Sequence, residues 1–379
     1  MSFPAEESGE IQNLRRKISA GEKVISLNGL TSISSKSFVL SKLQSETKKT
    51  FVVVTDSNKE LENWDCDLDF WTNNPNSENS RIETQSSKLL TLPSFETDIY
   101  SGVSPHAETQ EKRALTLWNL SRNKTDFLIV SAKALITKTS SPNEIKSLGA
   151  DLKLDEDFPP DELIEKLIAC GYVREEPIRN VGEFSVRGGI LDVWSPTSEN
   201  PVRVEFFGDT IDSIREFDSE TQLSVGKLKG ISIAPMREFS ALSKDFKDWA
   251  FFAQERFSDE SFARNLKDRT QFAEEGETFS GWEFLISLVK PFEATFFDFV
   301  KDAILVIDEP TIIEQTLANF YETVTNRYAE ITGHDDIGLE PFELFLDGEN
   351  LRQKLEIFQR IELRALGKTA AKFDEQFQI

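Results

Sequence analysis

The stretch "ISLNGLTSISSKSFVLSKL" at residues 25–43 decides how the first part of the chain is interpreted. An apolar run that ends at Leu27 predicts a strand, a turn containing one glycine follows, and Lys36 and Ser37 open a helical pattern. Strand, Gly-rich turn, Lys-Ser/Thr and helix is the order of elements in a nucleotide-binding P-loop. The stretch therefore predicts the beginning of an α/β domain, and it raises the question of whether ATP binds there.

The glycines that a P-loop requires are mostly missing from this turn. Glycines let backbone N–H groups curl around a phosphate, because they adopt unusual dihedral angles and leave room for close approach. In the eight residues that end at Ser37, both glycine positions carry side chains, Leu30 and Ser35, and Gly29 lies one residue out of register. The β-branched Ile33 occupies the same loop. We interpret the segment as a strand–turn–helix connection whose nucleotide site is predicted to be inactive.

A second part of such a site would come from the carboxylates of Asp308 and Glu309, which follow the strand-like run "AILVI". Paired acids in this position resemble those that place magnesium and water in NTPases. Pro310 directly after them suits a first helical turn, so helix capping is an alternative explanation. Together with Lys36 and Ser37, the pair is predicted to be the remnant of a nucleotide site that holds no cofactor.

Short apolar runs alternate with helical patterns through the first part of the chain. This alternation predicts a parallel sheet covered by helices. The predicted strands are residues 23–27, 50–55 and 126–131, and the predicted helices are residues 35–45 and 107–121.

Composition limits the function classes. The 379 residues include 43 Lys and Arg against 66 Asp and Glu, a net charge of −23. Autonomous DNA binding is disfavoured, because it needs clustered cations, although a local basic patch is compatible with this total. No apolar run reaches the ~20 residues of a membrane span, and the N-terminus lacks the basic and apolar regions of a signal peptide. Cys66 and Cys170 make no disulfide framework, so we expect a reducing, cytoplasmic environment. Neither cysteine has a histidine at metal-site spacing.

The pattern of the sequence changes at residues 149–233, where one helical segment is followed by several strand-like runs; we interpret this region as a small α+β insert. "DFPPDELIEKLIACGY" has a Pro-Pro start, acidic residues in its first turn and a glycine after its apolar stripe, so it predicts a helix over residues 160–170. Gly208 and Asp209 separate two alternating runs and predict a two-residue hairpin. Residues 229–235 predict a closing strand.

One strand of the insert, "VRVEFF" at residues 202–207, places unusual residues on its outward side. A period of two puts Arg203 and Phe207 opposite the apolar set that would pack on the helix. Arginine and aromatic residues are enriched at interface hot spots. Arg187 precedes two glycines that would allow a neighbouring backbone to come close. An equally open alternative is that a loop covers Phe207 and that both arginines pair with the abundant carboxylates.

Three longer motifs resemble a known family. "LPSFETDIYSGVSPHAETQEKRALTLW" (92–118), "GEFSVRGGILDVWSP" (182–196) and "PVRVEFFGDTIDSIREFDSETQLS" (201–224) are similar to the N-terminal module of bacterial transcription-repair coupling factors. That module is itself similar to the repair helicase UvrB. The resemblance implies a degenerate helicase-like α/β domain in two segments, an inserted UvrA-interaction domain and the start of a small variable domain. The implied boundaries are 1–148 and 234–325 for the two segments, 149–233 for the insert and 326–379 for the last domain.

The resemblance also implies a function. It places contacts to the excision-repair protein UvrA on Arg187, Arg203 and Phe207, and it implies a recruitment module without enzymatic activity. The family's RNA-polymerase-binding and DNA-translocating regions lie beyond this sequence, which we interpret as part of a longer protein. Two alternatives stay open: an ATP-dependent helicase or translocase subunit of the UvrB type, and direct nucleic-acid binding.

Overall fold

The computed structural model describes residues 9–72 and 89–365. Within them, a six-stranded parallel sheet forms the centre of an α/β body. Its central strands are mostly continuous apolar runs, because helices cover both faces of the sheet there. In spatial order the strands are β1 (Val24–Asn28), β16 (Gln359–Arg364), β15 (Ile304–Asp308), β2 (Phe51–Thr55), β4 (Phe127–Ser131) and β3 (Leu89–Leu92).

Alternate side chains of each central strand enter two separate hydrophobic cores. Val52 and Val54 of β2 face one core, whereas Phe51 and Val53 face the other. The core around Phe51 is covered by α1 (Gly9–Ser19), α2 (Ile33–Thr47) and α3 (Asn58–Thr72). The core around Val52 is covered by α4 (Ala107–Arg122), α5 (Ala132–Ile136), α6 (Pro142–Leu148) and the helices that follow the insert.

The chain after the insert completes this second core with Phe-rich helices. The longest of them, at Pro310–Gly333, directly follows strand β15. These helices are α8 (Ser243–Arg256), α9 (Ala263–Glu275), α10 (Phe296–Phe299), α11 (Pro310–Gly333), α12 (Pro341–Leu344) and α13 (Gly348–Ile357). Three short 3-10 turns, Glu260–Phe262, Trp282–Phe284 and Ile286–Leu288, and a two-stranded pair of β5 (Lys138–Thr139) with β14 (Ala294–Thr295) connect them.

The predicted α/β character is confirmed. The strands predicted at 23–27, 50–55 and 126–131 and the helix predicted at 107–121 all form, with ends that differ by a residue or so. These segments were predictable because their apolar periodicity is strong and their ends coincide with turn residues.

The structure differs from the predicted boundary at residue 326. Helix α11 runs through that position, and strand β16 lies between β1 and β15 in the middle of the sheet, so residues up to 365 belong to the α/β body. The sequence concealed this strand because three of its alternate residues are charged, which is unusual in a central strand. Arg360, Glu362 and Arg364 are nevertheless buried, and Arg364 donates to Glu362 at 2.9 Å.

The insert enters and leaves the α/β body through two paired strands. β6 (Ala150–Lys153) and β13 (Gly230–Ile233) form an antiparallel pair, so the two ends of the insert lie side by side. Between them, α7 (Pro160–Ala169) packs on a second six-stranded sheet. In spatial order its strands are β12 (Ser224–Lys227), β11 (Thr210–Phe217), β10 (Val202–Phe207), β9 (Ile190–Val193), β8 (Glu183–Arg187) and β7 (Val173–Arg174).

All three local predictions within the insert are confirmed, including the closing strand predicted at 229–235, which forms as β13. Helix α7 begins with Pro160 at its first position and ends before Gly171. The hairpin between β10 and β11 pairs Phe207 with Thr210, which leaves Gly208 and Asp209 as the two turn residues. Gly208 has φ of +65°, a conformation that a glycine adopts without strain.

Candidate functional site

The sheet of the insert has a core face and an outer face. On the core face, Val202 and Val204 of β10 are fully buried against Leu163 and Leu167 of α7. The opposite set of each strand points away from the helix because side chains alternate along a strand. We call this side the outer face; it carries Arg187, Asp192, Arg203, Glu205 and Phe207.

One buried carboxylate organises the outer face. Asp192 lies on β9, directly opposite Arg203 of β10, and only 3% of its side chain is exposed. Arg203 donates to both of its oxygens, from Nε to Oδ1 and from Nη2 to Oδ2, each at 2.7 Å. Arg187 donates from Nη2 to Oδ2 at 3.2 Å. The two arginines therefore share one anion; the bidentate contact fixes the plane of the Arg203 guanidinium, and the single hydrogen bond tethers Arg187.

Arg203 is held from several directions. Its guanidinium lies 4.5 Å from the centre of the Phe217 ring, and its Nη2 also donates to Gln222 at 3.2 Å. Hydrogen bonding to Asp192 raises the pKa of Arg203 above its already high value. Within the described residues its Nη1 atom makes no hydrogen bond. Arg203 is thus a rigid cation with donors left over.

Arg187 is more exposed than Arg203. About half of its side chain is accessible, and its second ion pair, with Glu176, is long at 3.6 Å. The turn after it contains the two glycines predicted to permit a close approach. That approach is internal: a Cβ atom on Gly189 would lie 2.9 Å from the carbonyl oxygen of Phe206.

Phe207 projects into solvent at the end of β10. It is 84% exposed, whereas its neighbour Phe206 is half-buried against the core of the insert. The alternative that a loop covers Phe207 is therefore wrong for the described residues. The alternative pairing of the arginines with carboxylates is found, but the carboxylate is the single buried Asp192 rather than a scattered surface.

Sequence reasoning missed Asp192 and a neighbouring cluster. Glu205 accepts from Ser213 at 2.7 Å and pairs with Arg215. The alternation in "ILDV" did place Asp192 on the outward side, which was the one available signal. Its partner could not be read from the sequence, because the register between β9 and β10 is set by the connection between them and by core packing.

The second candidate site lies where β15 ends. Lys36 of α2 is only 4% exposed, and its Nζ lies 2.5 Å from Asp308 Oδ1 and 3.2 Å from Glu309 Oε1. Trp64 donates to the other oxygen of Asp308 at 2.8 Å, and the N–H of Ala365 donates to Glu309 at 2.8 Å. The predicted group of Lys36, Asp308 and Glu309 is thus brought together, and its charges are satisfied internally.

The loop before α2 differs from a phosphate cradle. Ser32 caps the helix and accepts from the N–H of Ser35 at 3.2 Å, so one amide that could face a phosphate is already bonded. Ser37, whose hydroxyl would hold magnesium, is fully buried. The capping alternative for the acid pair is wrong in detail: Glu309 occupies the cap position with φ of +52°, but no side chain caps the helix that starts at Pro310.

Neither a metal cluster nor a membrane helix is found in residues 9–72 and 89–365. No three His, Cys, Asp or Glu side chains are grouped there for a metal ion. None of the helices in these ranges is long and apolar enough to span a bilayer.

The fold and the outer face define an α/β protein that carries an inserted interaction domain. Residues 150–239 match the family model described as "UvrB interaction domain". The match begins at the first residue of β6 and ends a few residues after the last residue of β13.

Relatives extend this similarity beyond the insert. A transcription-repair-coupling factor of Myxococcus xanthus is 31% identical over 284 residues, which are 73% of this chain and 24% of that protein. Corresponding proteins of Haemophilus influenzae and Bacillus subtilis are 30% and 31% identical over 75% and 61% of this chain. The chain spans about a quarter of the length of these relatives. The matches relate it to the N-terminal module of transcription-repair-coupling factors, including a UvrB interaction domain.

Proposed function

We propose that this chain recruits UvrA through the outer face of its insert. Support comes from the matched interaction domain and from one observation, the 84% exposure of Phe207 on the same outer face as two arginines that share Asp192. Phe207 differs from other exposed apolar side chains, such as Phe251, in lying on the same face as two arginines, and aromatic residues and arginine are the types enriched at interface hot spots.

The chemistry of the face suggests how a partner would be recognised. Phe207 would enter an apolar pocket, and an aromatic anchor of this kind commonly carries much of an interface's binding energy. The remaining donors of Arg187 and Arg203 would bind carboxylates or carbonyls of the partner. Because Asp192 already fixes the guanidinium group of Arg203, little side-chain entropy of that residue would be lost on binding.

The direct test is a calorimetric titration of the chain with purified UvrA. Phe207→Ala and Arg203→Ala are each expected to weaken binding by ~2 kcal/mol or more, which is about thirtyfold in Kd. Phe251→Ala is the matched control, since Phe251 is another exposed phenylalanine, 67% accessible on α8 and outside the insert.

The outcomes separate clearly. Loss of affinity in the outer-face variants with an unchanged Phe251→Ala variant supports the proposal. Undiminished binding by correctly folded Phe207→Ala and Arg203→Ala chains would contradict it.

We further propose that this chain does not itself hydrolyse ATP. Lys36 is bound by Asp308 and Glu309, Ser37 is buried, and side chains occupy both glycine positions of the loop. The family resemblance implies that translocation and RNA polymerase binding belong to other regions of such proteins, so we propose neither activity for these residues. Micromolar ATP affinity that disappears in Lys36→Ala would refute the inactive site and favour the alternative of a UvrB-type ATPase.

A further inference from the structure

A wide groove opens at the edge of the central sheet where its strands begin. This edge is opposite the one that carries Asp308, and the groove encloses about 1240 Å³. Its lining includes seven cationic side chains and only two carboxylates, although the whole chain carries a net charge of −23. The cations are Lys23, Lys48, Lys49, Arg122, Lys124, Lys301 and Lys354, and the carboxylates are Asp298 and Asp302.

Three of these lysines occupy equivalent positions on neighbouring strands. Lys301, Lys48 and Lys124 each precede by three residues the first residue of β15, β2 and β4. Those first residues are directly paired, Ile304 with Phe51 and Phe51 with Phe127. Neighbouring parallel strands lie ~4.8 Å apart. The three lysines therefore follow, in the order of the strands, the edge of the sheet where those strands begin, and we call them the lysine line.

The same three lysines are exposed, and within the described residues none of their side chains forms an ion pair or hydrogen bond. The other cations of the groove are partly engaged. Lys23 donates to two backbone carbonyls at 3.0 and 3.2 Å, and Arg122 pairs with Asp151 at 2.8 Å.

The negative charge of the whole chain does not cancel this local field. At physiological ionic strength the screening length is about 8 Å, so carboxylates on distant surfaces are largely invisible to an anion in the groove. Of the two carboxylates in the groove, Asp298 already pairs with Lys354 at 3.5 Å, and Asp302 offsets at most one of the seven cations. Autonomous nucleic-acid binding was disfavoured by the total charge, but the total does not describe this edge.

We propose that the groove binds the phosphate backbone of single-stranded nucleic acid. The line of Lys301, Lys48 and Lys124 would contact about three consecutive phosphates, and the lysines would act as point charges without sequence preference. The side-chain amide of Asn123, at the same edge, would donate to a phosphate or sugar oxygen.

An apolar floor distinguishes a nucleic acid from an acidic peptide. Ile357 is 71% exposed in the groove, and the half-buried rings of Phe299 and Phe358 lie beside it. A nucleotide offers a phosphate together with a flat base that can cover such groups. A peptide acidic enough to match the lysines would leave these apolar groups without a partner.

The test is fluorescence anisotropy of the chain with a labelled oligo-dT of about twelve nucleotides, at several salt concentrations. The three line contacts alone predict a salt slope of about −2, from ~0.7 per phosphate contact. The variant Lys48→Glu/Lys124→Glu/Lys301→Glu is expected to lose this slope and at least tenfold in affinity. The substitutions are on exposed side chains, so its denaturation midpoint should stay unchanged.

The matched control makes the same change in net charge elsewhere. Lys146→Glu/Lys247→Glu/Lys267→Glu alters three exposed lysines outside the groove and should bind as the parent chain does. Equal loss in both variants would overturn the proposal, because total charge alone would then explain it. Absence of oligo-dT binding at low salt, or displacement of oligo-dT by polyglutamate at lower concentration than by unlabelled oligo-dT, would overturn it as well.

Discussion

Arg113 and Glu238 form a buried ion pair that we expect to control the stability of the connection between the insert and the α/β body. Arg113 lies on α4 and is 1% exposed, and Glu238 lies in the segment that leaves the insert after β13. Arg113 donates through Nε and Nη2 to the two oxygens of Glu238, each at 3.1 Å. Its Nη1 donates to Pro93 O at 2.8 Å, and its guanidinium lies 4.3 Å from the Phe95 ring centre.

The expected change in the free energy of unfolding depends on which buried polar groups each substitution leaves unpaired. Arg113→Met keeps the apolar stem but leaves the Glu238 carboxylate buried and unpaired, which typically costs about 3–5 kcal/mol. Arg113→Met/Glu238→Leu removes both charges and leaves only the Pro93 carbonyl without its donor, for about 1–3 kcal/mol. The double variant should therefore be more stable than the single variant by about 2 kcal/mol.

Urea denaturation followed by tryptophan fluorescence measures both variants, since Trp118, Trp249 and Trp282 are buried in the hydrophobic core of the α/β body and report its unfolding. The expected order of midpoints is parent chain, double variant, single variant, with similar slopes. A single variant that loses less than about 1 kcal/mol, or a double variant less stable than the single one, would refute the reasoning. UvrA binding by the double variant should be retained, because the outer face is untouched.

Three further outcomes are expected. Burial raises the pKa of Glu314 to about 7, although the nearby charge of Arg364 opposes this shift. The folded chain therefore holds the Glu314 proton more tightly than the unfolded chain, and the free energy of unfolding declines as pH rises from about 5 to 7. Glu314→Gln should flatten the corresponding decline in Tm. Gly149→Ala should destabilise by about 1–3 kcal/mol in urea, because its Cβ would lie 2.5 Å from Trp118 Nε1. Asp192→Asn should weaken UvrA binding by calorimetry, since it removes the shared anion that orients both arginines.

Each of these predictions has a control. A pH dependence of Tm unchanged by Glu314→Gln would contradict the assigned burial. Gly21→Ala is the control for Gly149→Ala, because a Cβ on Gly21 meets no neighbouring atom and the substitution adds only backbone strain at φ of +72°. It should lower the free energy of unfolding by less than Gly149→Ala does. Asp192→Asn chains that bind UvrA as tightly as the parent would show that the arginines need no positioning.

The sequence by itself determined the α/β character, the helix and hairpin of the insert, and the outward side of β10. Each of these features depends on local periodicity or on a turn residue such as Gly208, and such patterns can be recognised without knowing which distant residues pack against them. The sequence also determined that the loop before Ser37 lacks glycines, which is a matter of composition alone.

Only the tertiary structure decided which distant residues meet. The charged strand β16 lies in the middle of the sheet, and both outer-face arginines pair with Asp192. Lys36 binds Asp308, which is 272 positions away in the chain. Lys301, Lys48 and Lys124 lie at one edge of the sheet. Such contacts depend on strand register and on the packing of helices against both faces. These are set by the free energy of burying the whole core, and no short stretch of sequence contains that information.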